Sequence, residues 1–170
     1  MDYKERLRAF NSTDKYNSEM IFLSYLNPLG ICLDYGCGIG TFMDEYVVDG
    51  YDVNNYYEGS YKENYYNELP DNEYENITFL HSLAHIPNPK EVLIDLKKRY
   101  DATITVITPN ASWLALQTNQ GYTPDPTVIK HYTQKELKEL FESAGYEVTL
   151  IGQFGESMNG INERIFLQAI

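Results

Sequence analysis

The chain has 170 residues, enough for one domain that buries roughly 70% of its unfolded surface without disulfide staples. Thirteen Lys and Arg stand against 25 Asp and Glu, a net charge of −12. That balance disfavours nucleic-acid polyphosphate and anionic membrane surface as partners, because both reward clustered cations. The acidity is local: residues 44–76 hold ten acids, one lysine and eight of the 16 tyrosines.

Residues 1–8 alternate in charge and lack the apolar stretch of a signal peptide. No apolar run approaches the roughly 20 residues of a membrane helix. Cys32 and Cys37, in an expected strand and the turn after it, suit two reduced thiols. A soluble, cytoplasmic protein is expected, with 1–28 as an N-terminal helical segment and 29–170 as the core.

In chain order, Ser12, Thr13 and Asp14 offer caps for a helix over 13–26, with Met20, Phe22, Leu23 and Leu26 on one face and Asn27-Pro28 ending it. Ile31-Cys32-Leu33 is a short apolar strand closed by Asp34 and the glycine cluster of 36–40. Thr41–Tyr46 reads as a short helix, and Val47-Val48 with Tyr51–Val53 as a second strand. From Asn54 to Asn76 periodicity is lost, so a loop with at most one short strand or helix is expected. Ile77–His81 reads as a buried strand. Pro87-Asn88-Pro89 starts a helix through Tyr100, and Ala102–Thr108 is the clearest strand. Residues 111–131, with the sole tryptophan, Trp113, read as a loop or broken helix. Thr133 caps an amphipathic helix that Gly145 closes. Glu147–Gln153 and Arg164–Ile170 form a last strand pair. The pattern predicts an α/β fold: a compact, Rossmann-like, doubly wound and mostly parallel sheet with an antiparallel C-terminal edge pair, shortened between its second and fourth strands.

The main chemical signal is Asp34-Tyr35-Gly36-Cys37-Gly38-Ile39-Gly40. After a strand and before a helix, such glycines permit a tight turn and close approach of backbone to a nucleotide. The G-x-G-x-G spacing is not the G-x-G-x-x-G that seats a pyrophosphate, which disfavours a nicotinamide enzyme. A ligand-free connector would have the same glycines. Asp52, at the end of the second strand, favours the ligand, since a carboxylate there accepts both ribose hydroxyls.

These residues resemble the D-x-G-x-G-x-G signature of class I S-adenosylmethionine-dependent methyltransferases. Further blocks are similar to that family. Leu69 to Pro89 resembles its stretch running through strand four into "EH-I/V-P-D-P", and Thr108-Pro109-Asn110 the "PN" of a subgroup with ubiquinone-type and glycan-cluster O-methyltransferases. His131-Tyr132-Thr133 through Val148 resembles the same subgroup's closing block. The resemblance implies S-adenosyl-L-methionine as cofactor, S-adenosyl-L-homocysteine as product, and a small-molecule acceptor. It implies that Asp34, Tyr35, Gly36, Cys37, Gly38 and Gly40 surround the methionine moiety, that Asp52 holds the ribose, and that Val53 lies against the adenine. Asn67 and Leu69 would lie at the adenine amine, and Leu80 and His81 at the sulfonium end. Only 17 residues separate Asp52 from Leu69, where the family has a helix and a strand, and Ala84 stands in place of a Glu.

Transfer to a hydroxyl benefits from a base. His85 and His131 match family positions and are the candidates, each also open to a structural role; His81 reads as a wall residue. No Asp, Glu or Cys set at ligand spacing surrounds the histidines, so no metal is expected. The N/D-P-P-F/Y of amino-methylating enzymes is absent at 81–84, so no nucleic-acid acceptor is expected, and no membrane. Trp113 and Tyr122 are candidates for the acceptor pocket or for core packing, and Phe10, Tyr16 and Phe22 for a lid or a core. A monomer or homodimer is expected. A sugar, nucleotide sugar, quinol or similar metabolite is the expected acceptor. A cofactor-binding module without catalysis remains open as a reading from a different class.

Overall fold

The computed structural model describes residues 3–11, 13–26, 30–118 and 125–170. The expectations on Ser12, Asn27-Pro28 and Tyr122, and on the Phe10 side chain, lie outside what is described. Two helices come first, α1 (Tyr3–Asn11) and α2 (Asp14–Leu26). Thr13 caps α2, its hydroxyl accepting from the Tyr16 amide at 3.2 Å. Next come β1 (Cys32–Tyr35), α3 (Thr41–Tyr46), β2 (Asp49–Tyr51), one 3₁₀ turn at Lys62–Asn64 and the two-residue β3 (Tyr65–Tyr66). After β4 (Asn76–Leu80), a 3₁₀ turn at Leu83–His85 leads into α4 (Pro89–Arg99). The chain closes with β5 (Thr103–Pro109), α5 (Ala111–Thr118), α6 (Gln134–Ser143), β6 (Val148–Met158) and β7 (Ile161–Ala169).

The strands form one mixed sheet of seven in the order β3-β2-β1-β4-β5-β7-β6. The chain divides into two compact units, Met1–Thr78 and Phe79–Ile170, with the division inside β4. In the first, β1 pairs in parallel with β2 and with the start of β4, and β2 with β3. Its core holds Leu23, Leu33, Met43 and Ile77, all essentially excluded from water. In the second, β7 runs antiparallel to both β5 and β6. Leu93, Leu96, Ile104, Ile107, Leu137, Phe141, Ile165 and Leu167 fill its core. A capping box opens α6: the Glu136 amide donates to the Thr133 hydroxyl at 3.2 Å, and the Thr133 amide to the Glu136 carboxylate at 2.9 Å. The expected α/β sheet with its antiparallel C-terminal pair and shortened middle is the one observed.

Four details differ from the sequence reading. Residues 3–11 form a helix of their own. Val47 is no strand residue; it closes α3 in the left-handed region at φ 52°, and β2 begins only at Asp49. Residues 111–118, where the two readings were a loop or a broken helix, form a regular helix that buries Trp113 and Leu114. The final hairpin extends beyond its apolar runs, because backbone pairing continues through polar residues to Met158 and Ile161.

Candidate cofactor turn and histidine cluster

In the first unit, β1 ends on a buried acid and hands the chain to a turn built from three left-handed glycines: Gly36 (φ 80°), Gly38 (φ 58°) and Gly40 (φ 86°). L-residues with side chains rarely hold such angles, so glycine is needed here for backbone reasons alone. The amides of Gly36 and Cys37 donate to the Tyr51 carbonyl at 2.7 and 3.1 Å, tying the turn to the end of β2. The Gly38 amide donates to Asp52 Oδ2 at 3.0 Å, and the Asn54 amide to Asp52 Oδ1 at 2.8 Å. The structure therefore brings Asp52 onto the turn, as the strand reading required. Val53, next in the chain, is 72% exposed.

Asp34 is only 3% exposed, and its Oδ1 accepts from the Thr78 hydroxyl at 3.2 Å. Burial pushes its pKa up to about 7; the Thr78 bond works against that rise and the nearby Asp52 charge adds to it. Among the described residues no cationic side chain contributes to the shift. From α2, Tyr16 and Glu19 are also buried. Burial, with the charges of Asp34 and Glu45, holds the Tyr16 proton on well beyond its ordinary range. Tyr16 thus belongs to the surroundings of Asp34, while Phe22 is half-buried.

The other predicted residues of this turn divide in two. The ring of Tyr35 meets that of Tyr51, centroids 4.8 Å apart. Cys37 points inward: a Cβ built at Gly50 would lie 2.9 Å from its sulfur. Its thiol, like that of Cys32, is pushed up by burial, so both stay protonated. Gly40 faces Tyr57, whose ring would lie 2.3 Å from a Cβ there. Asn67 and Leu69 follow β3, Asn67 exposed and Leu69 half-buried.

In the second unit, Leu80 ends β4 and His81 leaves it in the left-handed region at φ 59°, its amide donating to the Ile107 carbonyl at 2.8 Å. Backbone held there by a residue with a Cβ costs about 1–3 kcal/mol and concentrates at functional sites. The structure brings His85 and His131 close enough to interact. His85 Nδ1 lies 3.0 Å from the Thr127 carbonyl; a carbonyl partner calls for the proton on Nδ1 and leaves the lone pair on Nε2. The amides of Ile129 and Lys130 donate to the Ala84 carbonyl at 2.9 and 3.1 Å, holding the segment before His131 against the 3₁₀ turn of His85. Among the described residues neither ring nitrogen of His131 has a hydrogen-bond partner, although both are buried. Burial, and then the neighbouring His85, pull the His131 pKa below its ordinary value, with Asp125 opposing.

A family model described as a methyltransferase domain matches residues 4–151. The chain belongs to the methyltransferase-domain family. S-adenosylmethionine is that family's methyl donor. Solved structures agree on the fold. A SAM-dependent methyltransferase from Archaeoglobus fulgidus is 19% identical with TM-score 0.71, covering 99% of each chain. Magnesium protoporphyrin IX methyltransferase from Synechocystis PCC 6803, solved with bound SAH, is 13% identical with TM-score 0.62, covering 99% of this chain and 87% of its own. A chain of the Pnkp1/Rnl/Hen1 RNA repair complex is 16% identical with TM-score 0.67, covering 92% of this chain and 41% of its own. No curated protein sequence matches this methyltransferase significantly.

Sequence reasoning missed several residues that shape the methyltransferase's turn. Thr78 lies beside Asp34 in the β1–β4 register, a partner that strand alignment could have suggested. Tyr57 and Tyr65 sat in a stretch without periodicity, where only composition spoke. In the second unit, Asn110 of the "PN" pair is a hub: its side chain donates to Gln153 at 3.1 Å and to the Asn162 carbonyl at 2.9 Å, and accepts from the Ser112 amide at 3.0 Å.

Proposed function

We propose that this methyltransferase carries the methyl group of S-adenosylmethionine to a small hydroxyl-bearing acceptor, such as a sugar, a nucleotide sugar or a quinol. The observation that carries the cofactor side is the pairing of two acids on one glycine turn, a buried Asp34 that no cation among the described residues neutralises and an Asp52 fixed by two backbone amides. This donor set fits the ligand: a buried carboxyl suits a cationic amino acid moiety, and a fixed carboxylate suits a diol. When bound, S-adenosylmethionine supplies an activated methyl group. Asp34, with the backbone of Tyr35, Gly36, Cys37, Gly38 and Gly40, would hold the methionine moiety. Asp52 would hold the ribose, Val53, Asn67 and Leu69 the adenine side, and Leu80 and His81 the sulfonium end.

On the second unit, His131 is the group that takes the acceptor proton, with His85 beside it. A base must be neutral to work, and burial, which lowers the His131 pKa, favours that form. Its unpartnered ring nitrogens are the opening that a hydroxyl would fill. The surplus of acids supports a small-molecule acceptor over a nucleic-acid polyphosphate. Among the described residues no helix is long and apolar enough to cross a membrane.

Calorimetry with S-adenosylhomocysteine tests the cofactor assignment, and micromolar binding is the expected result. Extracts incubated with methyl-labelled cofactor are then divided by size. Label in the small-molecule fraction supports the acceptor class, whereas label in RNA or protein overturns it.

A further inference from the structure

The 54–66 segment stands where the resembling family has a helix and a strand, and the Tyr65 hydroxyl in it bonds to the backbone around Asp52. The Tyr65 hydroxyl lies 2.7 Å from the Asn54 carbonyl and 3.2 Å from the Asp52 carbonyl. Its single proton is shared between them, the shorter bond going to Asn54. These two carbonyls bracket the corner at which β2 ends, and the Asn54 amide of the same corner donates to the Asp52 carboxylate. Burial and the Asp52 charge raise the Tyr65 pKa to about 12, so the hydroxyl stays a donor.

A second ring holds the first. Tyr57 stacks on Tyr65, centroids 5.2 Å apart and planes 11° from parallel. Tyr57 is itself seated in the gap left by Gly40. Its hydroxyl donates to Asp44 at 2.7 Å and accepts from the Tyr61 amide at 2.6 Å. The backbone of this strap meets the glycine turn directly, the Glu58 amide donating to the Ile39 carbonyl at 3.3 Å. Glu58 takes ion pairs from Lys4 and Arg8 of α1.

We infer that Tyr65 is a positioning residue for the ribose: through the Asp52–Asn54 corner it fixes the direction of the Asp52 carboxylate, and Tyr57 fixes Tyr65. The inference rests on the cofactor reading above and adds to it the residue that makes Asp52 selective.

The test compares S-adenosylhomocysteine with its 2′-deoxy counterpart by calorimetry, on wild type and on Tyr65→Phe, which keeps the ring and its stack. Wild type should prefer the parent by roughly tenfold or more, the value of a hydrogen bond to a charged group. Tyr65→Phe should weaken the parent by roughly three- to tenfold and the 2′-deoxy ligand, which keeps only the 3′-hydroxyl contact, by clearly less. Equal weakening of both ligands would make Tyr65 a purely structural residue and overturn the inference. So would an unchanged parent affinity. Failure of the cofactor reading shows elsewhere, in the wild-type arm, as no binding or as no preference for the 2′-hydroxyl; either sinks the inference too. Tyr57→Leu is the second variant and decides the matter where Tyr65→Phe does not fold. A smaller, parent-selective loss supports the inference, and an equal loss of both ligands overturns it.

Discussion

Asp52 on the first unit and His131 on the second both bury their polar atoms, yet they are satisfied differently. Asp52 has a backbone amide on each carboxylate oxygen, whereas among the described residues His131 has a hydrogen-bond partner on neither ring nitrogen. A buried polar atom without a partner costs about 1–3 kcal/mol, and a catalytic role is one of the causes for which proteins keep such atoms. Asp52 is thus fixed by the chain's own backbone, and the ring of His131 is where the proposed acceptor hydroxyl would bond. Both regions carry family-like residues, but the approach of His85 to His131 follows only from packing.

The largest expected effect tests the incomplete side. Replacing His131 with Ala should lower kcat by about 10²–10⁴-fold with cofactor affinity unchanged, measured by label transfer beside calorimetry. In wild type the acid limb of the kcat–pH profile should fall below about pH 6.5, the ordinary histidine value, because burial pulls His131 downward. A limb at higher pH would assign the proton transfer to another group.

The complete side is broken next by Asp52→Ala. It should weaken S-adenosylhomocysteine by about 10–100-fold, and an unchanged Kd would remove Asp52 from the ribose. Asp34 sharpens the comparison through stability. Its folded pKa of about 7 stands above the ordinary aspartate value of 3.8, so the folded state binds more protons between those values. Stability therefore falls as pH rises through that window. Asp34→Asn should lose this dependence and gain on the order of 2–4 kcal/mol at pH 8, read from urea unfolding at pH 5 and 8, while losing cofactor affinity. The smallest effect is at Val47, a β-branched residue 55% exposed at φ 52°. Val47→Gly should raise stability by about 1 kcal/mol, a shift that a thermal melt resolves.

Much of the fold was legible because apolar periodicity and capping residues coincide. The helix after Thr133 illustrates this, since Thr133, Glu136, Leu137 and Phe141 each state the same element. Val47 was misread because its β-preference yields to the geometry that ends α3. The glycine turn was legible since left-handed backbone leaves glycine as the residue of choice. The roles of Thr78, Tyr57, Tyr65 and Asn110 were not, because each depends on a partner 8 to 52 residues away in the chain. His85 and His131 were both singled out, but their proximity comes from the Ala84 carbonyl holding Ile129 and Lys130, which no local pattern records.

The ring of Tyr57 in the gap at Gly40 has a consequence for how relatives of this chain should vary. A glycine of the signature is kept here partly for a neighbour in the same chain, so positions 40 and 57 are bound to covary. Sequences that place a side chain at position 40 should have given up the aromatic ring at position 57, and with it the stack on position 65.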